Sequence, residues 1–484
     1  LKLDSHLVLT CLIPPLLYNA ALESSLLDIR RNLRTVISLS VALVLATALL
    51  IGVGFDLWVT GATMATGVAL GAAVAPPDPV AALAVGRKVG LPGNLITLIQ
   101  GEGLLNDATA LTLLAVAVSA VNGKEFSFWD ASGDFLLSAI GGVVVGVAIA
   151  YLIRLLRRLR TDPISANAVS LAAPFAAYLL GERLHVSGVL AVVVAGLIVG
   201  HDAPKMATGA SRLQSGAVWR LVDFLLEGLV FLLIGQQMPT VIDELSQYTT
   251  STIVIAVAVS LGVVLLLRPL WLYLTQLLPK SMHTRLGGTD PLTGREVTAL
   301  SWAGTRGVIS LAAIFTLPSS FPDVDLLHFC TFIVVLVTLV GQGLTFEPLV
   351  RRLGLRANEA DQIRQRNEAR SAAVRAALDR LDEIQQEQHD NVEDQAIATM
   401  RRQLNQRLER YRRRLEFLDQ SDSDEAVYSP QYEAALMVRR MMIDAQRDEL
   451  LRWRDTGNLS DESLRALERE LDHEERLLPE RHRA

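Results

Sequence analysis

Gly101–Glu102–Gly103–Leu104–Leu105–Asn106–Asp107–Ala108–Thr109 sets two carboxylates and a carboxamide inside an apolar run from about Leu95 to Val121. A run of that length crosses a bilayer as a helix. Ionisable side chains at membrane depth are costly and mark functional positions. On a helix Glu102 and Asn106 are i, i+4 neighbours on one face, and Asp107 follows about 100° round. The three cover a polar sector rather than a single line. A patch that only glues helices together is more often Ser, Thr or Asn than paired acids.

The 484 residues are 51% hydrophobic with a net charge of −6, but those averages merge two unlike parts. Up to about Arg352 the chain consists of long apolar runs joined by short loops. From about Leu355 to Ala484 it is dense in Arg, Glu, Asp and Gln. Residues 1–352 read as an all-α polytopic membrane domain, and residues 353–484 as a soluble helical tail. The two cysteines, Cys11 and Cys330, lie in apolar runs and fit neither a disulfide framework nor a Cys/His metal site. The first residue is Leu1 rather than methionine, and Leu7 to Leu17 already reads as part of a span. The expectation is that the natural chain begins earlier; no signal-peptide cleavage site is visible.

The apolar runs predict eleven spans: His6–Leu22, Thr35–Gly54, Gly61–Val85, Leu95–Val121, Phe135–Leu155, Ala166–Leu180, Val186–Gly200, Val218–Met238, Ile253–Leu277, Val297–Leu317 and Leu327–Val350. Arginine and lysine fall in alternate loops. Arg30, Arg31 and Arg34 follow the first span, Arg87 and Lys88 the third, and Arg154, Arg157, Arg158 and Arg160 the fifth. Lys205 and Arg212 follow the seventh, Lys280, Arg285 and Arg295 the ninth, and Arg351 and Arg352 the last. The intervening loops hold only Lys124 and Arg183. By the positive-inside rule the Arg-rich side is cytoplasmic, which puts Leu1 outside and the tail inside.

Two spans are interrupted. Ala75–Pro76–Pro77–Asp78–Pro79 stops the third, because proline removes a backbone donor and restricts the residue before it. Trp302–Ala303–Gly304–Thr305–Arg306–Gly307 places a charge between glycines in the tenth. Broken helices in the two halves of a transporter point to a binding site at mid-membrane. Irregular backbone at that depth is tolerated only beside protein or a wet cavity. Glu227 is either a pathway residue or a structural partner for a buried cation. Arg268, before Pro269, lies nearer the cytoplasmic end of its span and reads as snorkelling to the interface. Pro14–Pro15 reads as a kink facing the pathway, with Asn19 as an ion contact.

In the tail Leu404, Leu408, Tyr411, Leu415 and Leu418 form a heptad-like stripe, which packs against a second copy or against a helix from about Gln431 to Trp453. Ser421–Asp422–Ser423–Asp424–Glu425 and Ser429–Pro430 read as a break. Thr456–Gly457–Asn458 ends the second helix, and Ser460 N-caps a third. The tail carries no phosphate loop, zinc motif or EF-hand. Its near-equal basic and acidic content argues against a nucleic-acid surface.

A carboxylate in a water-accessible membrane cavity holds either a proton or a metal cation, not readily both. Desolvation strengthens a carboxyl group's hold on its proton, which brings the two cargoes into competition. Alternating access turns that competition into exchange. Oxygen ligands suit a hard cation, and no thiol or His cluster is present for a transition metal. Sodium is the natural candidate, with lithium and potassium left open. Arg306 needs a partner at membrane depth, and Glu102 is the expected one, leaving Asp107 free. Asp78, between half-helices, is placed to meet a positive helix N-terminus.

Glu102–Gly103–Leu104–Leu105–Asn106–Asp107, Asp78–Pro79–Val80–Ala81, Glu227–Gly228–Leu229–Val230–Phe231, Arg306–Gly307 and Pro14–Pro15–Leu16–Leu17–Tyr18–Asn19–Ala20 together resemble the cation:proton antiporter family 1. That family contains bacterial sodium/proton antiporters and animal sodium/proton exchangers. The resemblance runs to about Arg352. It implies an inverted-repeat antiporter fold with two broken crossing helices, a core domain, a dimerisation domain and a homodimer. It also implies more spans than eleven, and hence spans before Leu1. It implies Asp107 as the ion- and proton-binding carboxylate, Asn106 as its neighbour, and Glu102–Arg306 as a structural ion pair. An Asn–Asp site implies electroneutral one-for-one exchange, serving pH and sodium homeostasis, with Na+ and H+ as cargo and no cofactor. Two positions depart from the pattern. Gly103 stands where several members have Ser, and Pro77 where many have Thr, so a backbone carbonyl of Pro77 is what could still serve as a ligand. The expected partners are monovalent cations, the bilayer, a second copy of the chain and a cytoplasmic regulator of the tail. A cation channel would use the same acidic pathway, but the broken helices favour an antiporter and no selectivity-filter repeat is present. An intramembrane aspartyl hydrolase would use Asp78 and Asp107, yet Arg306 and Asn106 do not suit that chemistry.

Overall fold

The computed structural model describes residues 8–121, 128–159, 162–206, 208–276, 292–318, 320–355, 359–386, 394–420 and 430–476. The readings at His6, Lys124, Arg160, Leu277, Lys280, Arg285, Ser421–Glu425 and Ser429 lie outside those residues. All regular elements among the described residues are helical. The chain divides into two compact units, Leu1–Arg356 and Ala357–Ala484.

Among the described residues of the first unit, eight stretches are long and apolar enough to cross a membrane: Leu33–Trp58, Met64–Val89, Gly93–Val121, Leu137–Arg158, Pro163–Arg183, Gly188–Met206, Thr250–Gln276 and Val324–Leu353. We label the helices α1 (Ile13–Glu23), α2 (Leu43–Trp58), α3 (Met64–Val74), α4 (Pro79–Val89), α5 (Gly93–Val121), α6 (Phe128–Leu159), α7 (Pro163–Arg183), α8 (Gly188–Met206), α9 (Gly209–Glu244), α10 (Thr250–Gln276), α11 (Gly294–Trp302), α12 (Val308–Ile314), α13 (Val324–Leu336) and α14 (Gly343–Leu353). The other three expected spans are α1, the interrupted α11–α12, and α9, whose apolar run is broken by Asp223 and Glu227. Large apolar side chains such as Leu49, Leu57, Ile140, Val144, Leu266 and Leu270 are exposed on the outside of the bundle, as a lipid-facing surface requires. The protein is a multi-pass membrane protein. Pro14 and Pro15 occupy the first turn of α1, behind a π-helical turn at Val8–Leu12, and are buried.

Lipid gives helices no hydrophobic reason to associate, so close packing at small residues does the work. A Cβ built on Gly71 of α3 would stand 2.5 Å from the Ala48 Cα of α2, and one on Gly67 2.7 Å from the Gly52 Cα. This backbone-to-backbone contact seats α3 beside α2 and fixes where α3 ends. Past Val74 the chain runs through Pro76 and Pro77 to Asp78 and restarts as α4 at Pro79. Past Trp302 it leaves the helix until Val308. Six crossings lie between the two broken spans, so they run in opposite directions, and the breaks touch. The Asp78 N–H donates to the Thr305 carbonyl at 2.6 Å, and the Thr305 hydroxyl donates to the Asp78 carbonyl at 3.0 Å.

The second unit holds α15 (Glu359–Gln386), α16 (Asp394–Gln420), α17 (Pro430–Asp455) and α18 (Asp461–Arg476). The stripe on α16 faces α15, a partner the sequence reading did not consider. Leu408 is buried, Tyr411 lies 5.9 Å from the Arg370 guanidinium, and Arg401 donates to Asp382 and Gln385. α17 packs on α18 through Ile443 and Leu471, with Arg447 donating to Asp472 and Glu475 at 2.6 Å each. Gly457, at φ +78°, ends α17, and the Ser460 hydroxyl accepts from the Ser463 N–H at 3.2 Å to start α18.

Replacing Gly71 with Val forces α3 off α2 and is expected to destabilise the membrane unit by about 1–3 kcal/mol. A thermal melt in detergent should show a lowered midpoint for Gly71→Val and an unchanged one for Gly262→Ala, where nothing lies within 4 Å of a built Cβ. Equal midpoints would mean that the α2–α3 contact is not tight.

Candidate ion-binding site at the helix crossing

A helix that stops inside a membrane leaves carbonyls unpaired at one end and N–H groups at the other. Each broken span solves the carbonyl problem with an arginine from elsewhere. Arg306 Nε donates to the Val74 carbonyl at 2.9 Å and Nη2 to the Ala75 carbonyl at 3.2 Å, capping α3, while Nη1 bonds Gly304. Arg268, on α10, donates from Nε and Nη2 to the Leu300 carbonyl at 3.2 and 3.1 Å, near the end of α11. Both cations sit at negative helix ends, where the peptide dipoles favour them. Asp78 serves an N-terminus: its Oδ1 accepts from the Val80 N–H at 2.9 Å and caps α4. A Cβ at Gly307 would run into the Asp78 carboxylate, so the tenth-span break admits only glycine there.

α5 delivers the remaining groups. A Cβ on Gly103 would stand 2.7 Å from the Pro79 ring, so glycine lets α5 press against the first break. Asn106 is fully buried and donates from Nδ2 to the Pro77 carbonyl at 3.2 Å. Its Oδ1 is buried without a hydrogen-bond partner. Asp107 is 3% exposed and within electrostatic reach of Asp78. Asn106, Asp107, Asp78 and the Pro77 carbonyl are therefore gathered at one place.

The Glu102–Arg306 pair expected from the sequence is corrected by the structure. Glu102 forms a two-pronged ion pair with Arg268, with Nη2 to Oε2 at 2.8 Å and Nη1 to Oε1 closer still. Both side chains are at most 3% exposed. Geometry explains the exchange of partners. Glu102 lies about 140° round α5 from Asp107 and faces α10, whereas the Arg306 guanidinium is committed to carbonyls at the end of α3. Arg268 accordingly does not snorkel to the interface. Two widened turns complete the frame: Ser40, in the π turn Ser38–Ala42, donates to the Glu102 carbonyl at 3.0 Å, and Thr338, in the π turn Val337–Gln342, accepts from the Arg306 N–H at 3.0 Å.

Asn19 and Glu227 lie to one side of this crossing. The Asn19 amide donates to Asp223 at 2.6 Å, tying α1 to α9. Glu227, one turn beyond Asp223 and half-buried, is within electrostatic reach of both Asp223 and Asp78. Sequence reasoning missed Asp223, although two acids at i, i+4 in an apolar run were the signal for it.

The family model described as "Sodium/hydrogen exchanger, transmembrane" matches residues 2–352. A Mycobacterium tuberculosis protein described as an uncharacterized Na(+)/H(+) exchanger is 32% identical over 489 residues, covering 98% of this chain and 87% of that one. The Na(+)/H(+) antiporter NhaP of Pseudomonas aeruginosa is 32% identical over 355 residues, covering 72% of this chain and 81% of its own. Among solved structures, the sodium proton antiporter MjNhaP1 of Methanocaldococcus jannaschii superposes with a TM-score of 0.58 at 18% identity, covering 72% of this chain and 88% of that one, which establishes a shared fold.

Breaking one partner of a buried ion pair costs about 3–5 kcal/mol in soluble proteins. Arg268→Met and Glu102→Gln are each expected to lower the melting temperature, and the double variant to lose less than the two losses added together. Strictly additive losses would show that the two side chains are not coupled.

Proposed function

The chain belongs to the sodium/hydrogen exchanger family, and from that premise we propose that it exchanges Na+ for H+ through Asp107. One observation carries the assignment: Asp107 and Asp78 lie together at the meeting of two broken helices, beside an Asn106 Oδ1 that has no hydrogen-bond partner. Asp107 holds the proton in one half of the cycle and the cation in the other. Asp78, Asn106 Oδ1 and the second lone pair of the Pro77 carbonyl complete an all-oxygen shell suited to a hard monovalent cation. Li+ and K+ meet the same ligand chemistry. The exchange needs no cofactor, since the ions themselves are the cargo.

Charge sets the stoichiometry. Asp78, Glu102 and Asp107 against Arg268 and Arg306 leave one negative charge when all are ionised. One proton or one monovalent cation neutralises it, and both together would leave a buried excess, which is costly. Exchange is therefore one-for-one and electroneutral. Glu102–Arg268 and Arg306 hold the frame, while Glu227 and the Asn19–Asp223 contact line the approach. The crossing moves as a body between the two sides of the membrane, in the manner of transporters with inverted repeats. The Arg-rich loops and the tail face the cytoplasm. Two copies of the membrane domain, 1–352, form the working unit, and the tail, 353–484, regulates it, with a cytoplasmic factor as its partner.

Asp107→Asn in proteoliposomes is expected to abolish cation-driven proton movement in a protein that still folds. Normal exchange by that variant would end the assignment. A chain ending at Arg356 is expected to retain exchange with an altered pH profile or dimer strength, measured against the full chain at matched reconstitution. Complete loss of flux in a folded, dimeric truncation would make the tail part of the transport machinery.

A further inference from the structure

Between the ends of α1, α6, α7, α8 and α9, apart from the helix crossing, lies a cavity of about 190 Å³. Its lining is rich in hydrogen-bond donors. Asn167, on α7, is 8% exposed, and its Nδ2 is buried without a hydrogen-bond partner; Arg157 Nε, on α6, is in the same condition. Ser170 accepts from Trp219 Nε1 at 3.1 Å, which leaves the serine its own proton to donate. Arg212 adds a second guanidinium to the wall. Glu23 is the one carboxylate among the lining residues, and it stands 3.7 Å from Arg87 on α4.

The lining residues carry two guanidiniums and one carboxylate, with Asp223 behind Asn19, and the donors left without a partner are Arg157 Nε and Asn167 Nδ2. A planar guanidinium beside an amide and a hydroxyl, all presenting N–H or O–H, is the donor set that oxyanions recognise. We propose that this cavity binds a phosphate-type oxyanion, either free phosphate or the headgroup of an anionic phospholipid. Asn19 lines the same cavity and donates to Asp223, so the bound anion braces the α1–α9 contact beside the ion approach.

The test reads binding rather than ion flux, and so stands apart from the assignment of Asp107. Full-length protein in detergent is dialysed against radiolabelled inorganic phosphate. In parallel, protein in vesicles of phosphatidylcholine with or without phosphatidylglycerol is extracted, and its retained lipid is identified by native mass spectrometry. Saturable phosphate binding that weakens about tenfold or more in Arg157→Gln, the loss of one charge-assisted hydrogen bond, supports a free oxyanion. Retention of phosphatidylglycerol over phosphatidylcholine that is lost in the same variant supports a lipid headgroup. Asn167→Asp keeps the side chain's shape and sets a carboxylate among the donors, so it should abolish either kind of binding even where Asn167→Leu fails to fold. Binding of neither probe by the unaltered protein, or equal binding by Arg157→Gln and Asn167→Asp, overturns the proposal.

Discussion

Helix ends inside a membrane cannot turn to water, and this constraint shapes the whole first unit. The interruptions at Pro76–Asp78 and Ala303–Gly307 create dangling carbonyls where hydrocarbon would leave them unpaired. Arg306 and Arg268 each answer one set, and each arrives from the other side of the crossing or from a neighbouring helix. Two cations at that depth then require carboxylates nearby. Glu102 meets Arg268 directly, and Asp78 and Asp107 stand within electrostatic reach of each other at the same crossing. The acids of the crossing follow from its arginines, and the arginines follow from its broken backbone.

Packing determines that these groups meet. Gly67 and Gly71 bring α3 against α2, Gly103 brings α5 against Pro79, and Gly307 makes room for the Asp78 carboxylate. At each, a methyl group would push apart two packed elements, and at Gly103 and Gly307 those elements carry site residues. The Gly103 position shows how one change has two effects. A serine there would add an oxygen, but its Cβ would press on the Pro79 ring, so the closeness of α5 to the break and the absence of a side-chain ligand have one cause.

Much of this was legible in the sequence, for reasons specific to each element. The proline cluster and the glycines around Arg306 announced both breaks, because their backbone limits are local properties. Glu102, Asn106 and Asp107 stood out because charge in an apolar run is visible without knowing what surrounds it. Partners were not legible in the same way. Arg268 and Arg306 are both buried arginines near a carboxylate, and nothing along the chain says which one Glu102 faces. Arg268 was further disguised by its place toward one end of an apolar run, where a side chain reaching for the interface is the ordinary reading. The α16 stripe was visible for the same reason that its partner was not: periodicity reveals a face, while the identity of what covers it lies in the turn between helices.

The two hydrogen bonds that join Asp78 to Thr305 are made by peptide groups and a hydroxyl. Neither changes charge across the range of acidity that cells meet. A transporter that handles protons risks having its own scaffold titrated by its cargo. Here the two bonds across the joint are made by groups that do not exchange charge with that cargo. Under the proposed exchange, a change of protonation at Asp107 would leave these two bonds as they are, while the Asp78 cap on Val80 and the Glu102–Arg268 pair are the parts of the frame that carry ionisable groups.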